Sequence, residues 1–244
     1  MKRNIAKFVD DTKVSGLADT PENCAVLQNS LNRIMEWCVK WGMSLNIDKC
    51  NSIHIGYKNI NFTYKINDNQ LAKTSEHKDL GVIIKSNLKF DKQCLESSKT
   101  ANKVLGLISR TFDHKSKEVI LPLYKSLVRP HLEYAVQFWN PHHRRDIEKL
   151  ERVQRRATKL IPSIRNKSYN NRLKSLGLQS LETRRMRGQL IEVYKILNNH
   201  DSVDGILQLA DPTSITRSNG YKLRAKRFRS DVAKNFFANR VVND

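Results

Sequence analysis

The sequence predicts an α+β chain in two consecutive parts, and three observations predict it. Up to residue 90, short β-favouring runs separated by turn residues surround one long amphipathic helix. Beyond Phe90 the apolar residues recur at three-and-four spacing, the period of packed helices. The charge shifts along the chain as well: residues 1–50 hold seven Lys and Arg against six Asp and Glu, residues 141–190 fourteen against four. Half of the +20 net charge therefore lies in about a fifth of the 244 residues. The expected organisation is an α/β part over 1–90, a basic helical part over 91–200 and an irregular basic tail over 201–244.

From the N-terminus, Ile5 to Phe8 is an apolar approach that ends in the pair Asp10-Asp11, and Thr12 to Leu17 reads as its return strand. Thr20-Pro21-Glu22 is a helix start, with a hydroxyl cap, proline at the first position and an acid in the first turn. Cys24, Leu27, Leu31, Ile34, Met35, Cys38 and Trp41 give that helix one apolar face, and Gly42 stops it. Ser44 to Cys50 is a polar loop. Ser52 to Tyr57 alternates as a half-buried strand, with His54 on the solvated side. Asn67-Asp68-Asn69 turns a hairpin between Phe62–Ile66 and Gln70–Ala72, and a last strand covers 80–84.

Cys94, Leu95, Ser98, Ala101, Leu105, Ile108 and Phe112 mark the first helix of the second part. Ser116 starts the next, through Ile120, Leu123, Tyr124 and Leu127, with a break at Pro130. His131 to Trp139 is a further helical segment, ended by Pro141. The next helix spans Asp146 to Ile161, with Leu150, Val153 and Ala157 inward and Arg152, Arg155, Arg156 and Lys159 on other faces. Tyr169 to Leu176 is short. Ser180 opens a longer helix through Leu190, Ile191, Tyr194 and Leu197; Pro212, Asn219 and Gly220 then interrupt any pattern, ahead of the charged run Tyr221 to Arg229.

Composition narrows the function classes. A pI near 10.0 points to a polyanionic partner. The four cysteines lack C-x-x-C spacing and histidine pairs at ligand spacing, which argues against a zinc site or a disulfide framework and for a reducing compartment, nuclear or cytoplasmic. No run of eighteen apolar residues exists, so no membrane span is expected.

Asp10-Asp11 is the pair with chemistry in it. Adjacent carboxylates are costly unless a cation neutralises them, and carboxylate oxygens suit Mg²⁺. The same dipeptide is also an ordinary turn.

The residues around and downstream of the pair separate these readings. Phe8-Val9-Asp10-Asp11 resembles the aromatic-x-Asp-Asp signature of reverse transcriptases, in the Phe-x-Asp-Asp form of LINE-type non-LTR retrotransposons. Trp37 to Trp41 with Asn46 to Cys50 is similar to the next palm motif, and His77 to Val82 to the Leu-Gly motif after it, the primer grip. Leu123 to Tyr134, Leu150 to Ala157 and Arg172 to Leu178 resemble the helical region after the palm in CR1/jockey-type elements. The resemblance implies an α+β fold made of part of a polymerase palm followed by thumb-like helices. It implies an RNA template and a DNA primer as partners, and two Mg²⁺ ions. Asp10 and Asp11 would be metal ligands, Lys49 the lysine that protonates the leaving group, and Leu80 and Gly81 the primer-grip turn.

The family carries a third metal-binding aspartate and the fingers upstream of this motif, and seven residues precede Phe8 here. The expectation is therefore a C-terminal fragment that is inactive alone. The basic helices carry a second expectation, salt-sensitive phosphate contact through Arg152, Arg155, Arg156, Lys159, Arg184, Arg185 and Arg187. Phe138, Trp139 and Tyr169 lie nearby and could stack on bases, although aromatics at helical spacing are commonly core. The alternative reading is a non-catalytic nucleic-acid-binding protein derived from a retroelement.

Overall fold

A computed structural model describes residues 4–198, 207, 209, 222–224 and 227–242. The chain mixes helix and strand and divides into two units, Met1–Lys89 and Phe90–Asp244.

In the first unit β1 (Asn4–Phe8) pairs antiparallel with β2 (Asp11–Ser15), with Phe8 opposite Asp11. Helix α1 (Pro21–Lys40) starts where the hydroxyl and proline rules place it: the Thr20 side chain accepts the Asn23 N–H. It ends before Gly42, whose φ of +64° is left-handed. The α1 face formed by Leu27, Leu31 and Met35 packs on a small core of Tyr64, Ile66 and Leu71, with Ile47 and Cys50 beside it. Gln28 ties the same helix to the sheet, donating to the Lys65 carbonyl at 2.7 Å and accepting the Lys65 N–H at 2.9 Å. Trp41 is excluded from that face and is 64% exposed.

The remaining strands are short: β3 (Asn51–Ile53), β4 (Lys65–Ile66), β5 (Asn69–Gln70), β6 (Ala72–Thr74), β7 (Glu76–Asp79) and β8 (Val82–Lys85). They pair as β3 with β6 in parallel and as the hairpins β4–β5 and β7–β8. Two expectations change here. The strand expected over 52–57 stops at Ile53, because the chain turns through Gly56 at φ +87°. His54 is consequently not solvated: Nδ1 lies 2.9 Å from Asn59 Oδ1, the ring stacks on Tyr64, and Nε2 is buried without a partner among the described residues. The strand expected over 80–84 instead begins at Val82, since Leu80 and Gly81 both have positive φ and form the β7–β8 turn.

The second unit is helical in its described residues apart from a single bridge between Leu209 and Leu223. Helix α2 (Asp91–Thr111) buries Cys94, Ala101, Leu105 and Ile108 as its spacing predicts. Helix α3 (Lys117–Leu123) runs on through a π turn at Tyr124–Val128 into α4 (Arg129–Glu133), so Pro130 does not break the chain as expected. Proline has no N–H to give the carbonyl one turn back; it is tolerated at the start of α4, where that donor is not needed, and the π turn shifts the preceding register. The segment expected over 131–139 is divided: Ala135 sits at φ +50°, and α5 (Val136–Trp139) starts anew. Trp139 is fully buried and donates its indole N–H to the Tyr134 carbonyl at 2.8 Å.

Helices α6 (Arg144–Lys159), α7 (Tyr169–Leu176) and α8 (Leu181–Leu197) come next. Ser168 and Ser180 cap the last two, and Gly177 closes α7 at φ +62°. Three of the four residues expected along the apolar side of α8 do not face inward: Leu190, Ile191 and Tyr194 are exposed, while Leu181, Arg185 and Gln189 are buried. About half of the tail lies outside the described residues, Tyr221, Ala225 and Lys226 of the charged run among them. Its last part forms two single-turn helices, α9 (Asp231–Lys234) and α10 (Phe237–Arg240). Arg240 of α10 is buried, donating to Gln189 Oε1 at 3.0 Å and to the carbonyls of Asn235 and Gln137.

All four cysteines are free thiols. Burial, reinforced by Asp146, pushes the Cys94 thiol from 9.0 up to about 12. Burial raises the Tyr124 and Tyr169 hydroxyls too. Each raised value means that the fold holds the neutral form, so this stability is intact below pH 9 and is lost as pH climbs from 9 toward about 12. The urea midpoint of the helical signal should be level below pH 9 and fall above it; a profile level up to pH 12 contradicts the assignment.

Candidate catalytic hairpin and nucleic-acid interface

The β1–β2 hairpin presents the carboxylates. Five backbone pairings bring Phe8 opposite Asp11, which leaves Val9 and Asp10 to make the reversal. Val9 takes φ +54° and is 88% exposed. Asp10 and Asp11 are both exposed, and among the described residues neither makes an ion pair or a side-chain hydrogen bond. Every residue of β1 is exposed, so this two-stranded ribbon has no buried apolar face of its own. The ribbon is anchored at its sides: the Lys13 ammonium pairs with the Asp79 carboxylate, and the Lys7 ammonium sits 4.6 Å from the Trp37 ring centroid. The first contact joins the carboxylate hairpin to the residue just before the Leu80-Gly81 turn. Sequence reading missed it, because nothing local links residues 66 apart.

Lys49 is exposed at the end of a 3₁₀ turn, Ile47–Lys49, and among the described residues no ion pair joins it to Asp10 or Asp11. Among the described residues there is likewise no group of three or more His, Cys, Asp or Glu arranged to hold a metal ion. Two exposed carboxylates with free oxygens do suit Mg²⁺, which binds one or two protein carboxylates and completes its shell from water and phosphate.

In the second unit the α6 cations separate from the α8 cations. Arg152, Arg155, Arg156 and Lys159 are exposed and lie within one arc of α6, at the three-and-four spacing that puts residues on one face. Among the described residues none of the four is ion-paired. Arg187 is exposed as well. Arg184 and Arg185 depart from the expected basic face. Arg184 is clamped by Glu133 through Nε at 2.5 Å and Nη2 at 2.9 Å, a bidentate pair that holds its charge firmly. Arg185 shares the inward stripe with Leu181 and Gln189; it is 2% exposed, and burial lowers its pKa. Its two Nη atoms have no hydrogen-bond partner among the described residues. Neither side chain is placed to meet a polyanion.

Beneath the exposed face lies a polar network. Glu151, buried on α6, accepts the Tyr169 hydroxyl and the Leu181 N–H, the latter at 3.1 Å. Gln154 accepts the Tyr124 hydroxyl at 2.6 Å and donates to the Tyr169 oxygen and the Gln179 carbonyl, each at 2.9 Å. The Tyr169 ring carries the Arg155 guanidinium at 4.5 Å and that of buried Arg172 at 5.6 Å. Of the aromatics that could stack on bases, Trp139 is interior and Tyr169 is engaged by arginines, whereas Phe138 is 46% exposed and packs edge-on against Phe90.

No family model and no solved structure matches the chain. Among curated proteins it is similar to the RNA-directed DNA polymerase from mobile element jockey of Drosophila funebris, 29% identical over 173 residues, which is 64% of this chain and 18% of that protein. It is also similar to the probable RNA-directed DNA polymerase from transposon X-element of Drosophila melanogaster, 25% identical over 191 residues, which is 71% of this chain and 20% of that protein. The chain thus spans about a fifth of the length of these relatives. Its curated homologues are RNA-directed DNA polymerases of non-LTR retrotransposons, matched over most of its own length.

Proposed function

We propose that these residues form the C-terminal part of the palm and the thumb-like helices of a retrotransposon RNA-directed DNA polymerase. The observation that carries this reading is the exposed Asp10-Asp11 pair at the reversal of a tight hairpin, in a chain whose homologues are such polymerases. Divalent cations, when bound, supply the charge stabilisation of phosphoryl transfer. Asp10, at the reversal, and Asp11, at the start of β2, would hold them. The Leu80-Gly81 turn, tied to the hairpin through Asp79 and Lys13, positions the primer end. Lys49, on its exposed 3₁₀ turn, gives a proton to the departing pyrophosphate. The α6 face of Arg152, Arg155, Arg156 and Lys159, with Arg187, holds the template–primer backbone by charge, without reading sequence.

The 244 residues alone do not polymerise. Two carboxylates leave a two-metal site short of a ligand, and among the described residues no third acidic group stands with them. The fully exposed β1 fits a ribbon that other parts of a palm cover. The purified chain should bind a primer–template in gel shift and yet incorporate no nucleotide on an RNA template with Mg²⁺ or Mn²⁺. Incorporation that Asp10→Ala abolishes would overturn the inactivity. Failure to bind any nucleic acid would overturn the polymerase reading of the helices.

A further inference from the structure

We infer that Tyr169 is a positioning residue for nucleic-acid phosphate: it holds the Arg155 guanidinium over its ring on the α6 face, and so couples that face to the buried network around Glu151. The inference rests on the reading of the α6 face as a backbone-binding surface.

Arg155 differs from its neighbours on this face. Arg152, Arg156 and Lys159 are exposed side chains with no described contact, and each loses rotamer freedom when it meets a phosphate. Arg155 is also exposed, but its guanidinium already lies 4.5 Å from the Tyr169 ring. Stacking on an aromatic face uses the π surface of the guanidinium and leaves the in-plane N–H donors pointing outward, the fork that matches phosphate oxygens. Much of the ordering cost of the contact is met in the free protein.

The ring can do this because it is itself held by several partners. Its hydroxyl donates to Glu151 and receives the Gln154 amide at 2.9 Å. Buried Arg172 lies against the ring too, with its own Nε on Thr158 Oγ1 at 3.0 Å and Nη1 on the Lys167 carbonyl at 2.7 Å. Because Tyr169 opens α7 while Arg155 and Glu151 belong to α6, any shift of α7 against α6 moves the platform under Arg155.

Fluorescence anisotropy with the full chain, a labelled RNA–DNA hybrid and a salt titration tests this. Arg155→Ala should weaken binding and reduce the salt slope by about one, the signature of one lost phosphate contact. Arg155→Lys, a conservative change at an exposed position, should keep the slope yet weaken binding about three- to tenfold, because the charge remains without the stacked fork. Tyr169→Leu should weaken binding to a similar degree in the parent and not at all in the Arg155→Ala background. Tyr169→Phe, which keeps the ring, should bind close to the parent even where its stability is lower. Parent-like binding by Arg155→Lys, or an unchanged Tyr169→Leu effect in the Arg155→Ala background, overturns the inference while leaving the basic face intact. Parent-like binding and slope in an Arg152→Ala/Arg155→Ala/Arg156→Ala triple variant instead overturns the reading on which it rests.

Discussion

Replacing Asp10 by alanine in a catalytically complete polymerase that contains this hairpin should lower primer extension by roughly three orders of magnitude or more, with nucleic-acid binding retained. The effect is large because phosphoryl transfer depends on positioning and charge stabilisation, and a carboxylate that holds a metal serves both. It should also be clean. Asp10 is exposed at the hairpin reversal and makes no side-chain hydrogen bond or ion pair among the described residues, so its loss should change stability by no more than about 0.5 kcal/mol. Asp10→Asn keeps the shape and removes the charge, and should be almost as damaging. Steady-state incorporation on an RNA template, measured beside the unfolding midpoint, separates the two quantities. Near-parent turnover by Asp10→Asn would remove the pair from the metal site.

Glu151→Ala should be the most damaging change to the fold of the second unit, costing roughly 3 kcal/mol or more. Glu151 is a buried carboxyl on α6 that receives the Tyr169 hydroxyl at the start of α7 and the Leu181 N–H at the start of α8. Removing it orphans two donors in the interior and leaves a void where the side chain was. Glu151→Gln keeps the volume and one acceptor oxygen and should cost less. Urea unfolding followed by far-UV circular dichroism reads both, with Glu151→Ala at the lowest midpoint. Equal midpoints for the parent and both variants would mean that the three helices are held by apolar packing alone.

These two residues were unequally visible in the sequence. Asp10 and Asp11 could be read because a tight reversal with acids in it is a local signal, and the later motifs supplied its meaning. Glu151 could not be singled out. On the one-dimensional pattern it is one more charge on an amphipathic helix, and its partners are 18 and 30 residues away. The α6 cations illustrate the same divide from the other side. Arg152, Arg155, Arg156 and Lys159 lie where the helical period puts them, but the seating of Arg155 on Tyr169 depends on how α7 packs.

By itself the sequence determined what forces spanning about one helical turn or one hairpin can determine: the caps at Thr20 and Ser180, the stop at Gly42, the hairpin that presents Asp10 and Asp11, and the cationic stripe of α6. Only the tertiary structure decided which side of α8 is inside, why Arg184, Arg185 and Arg240 are removed from the basic surface, and how a π turn at Tyr124–Val128 carries the chain into the helix that begins with Arg129-Pro130. The physical reason is the range of the interactions. Capping and periodicity act between residues a few positions apart, whereas Arg184 is spent on Glu133 and Arg240 on Gln189, each 51 residues away, and such pairings exist only once the helices have packed.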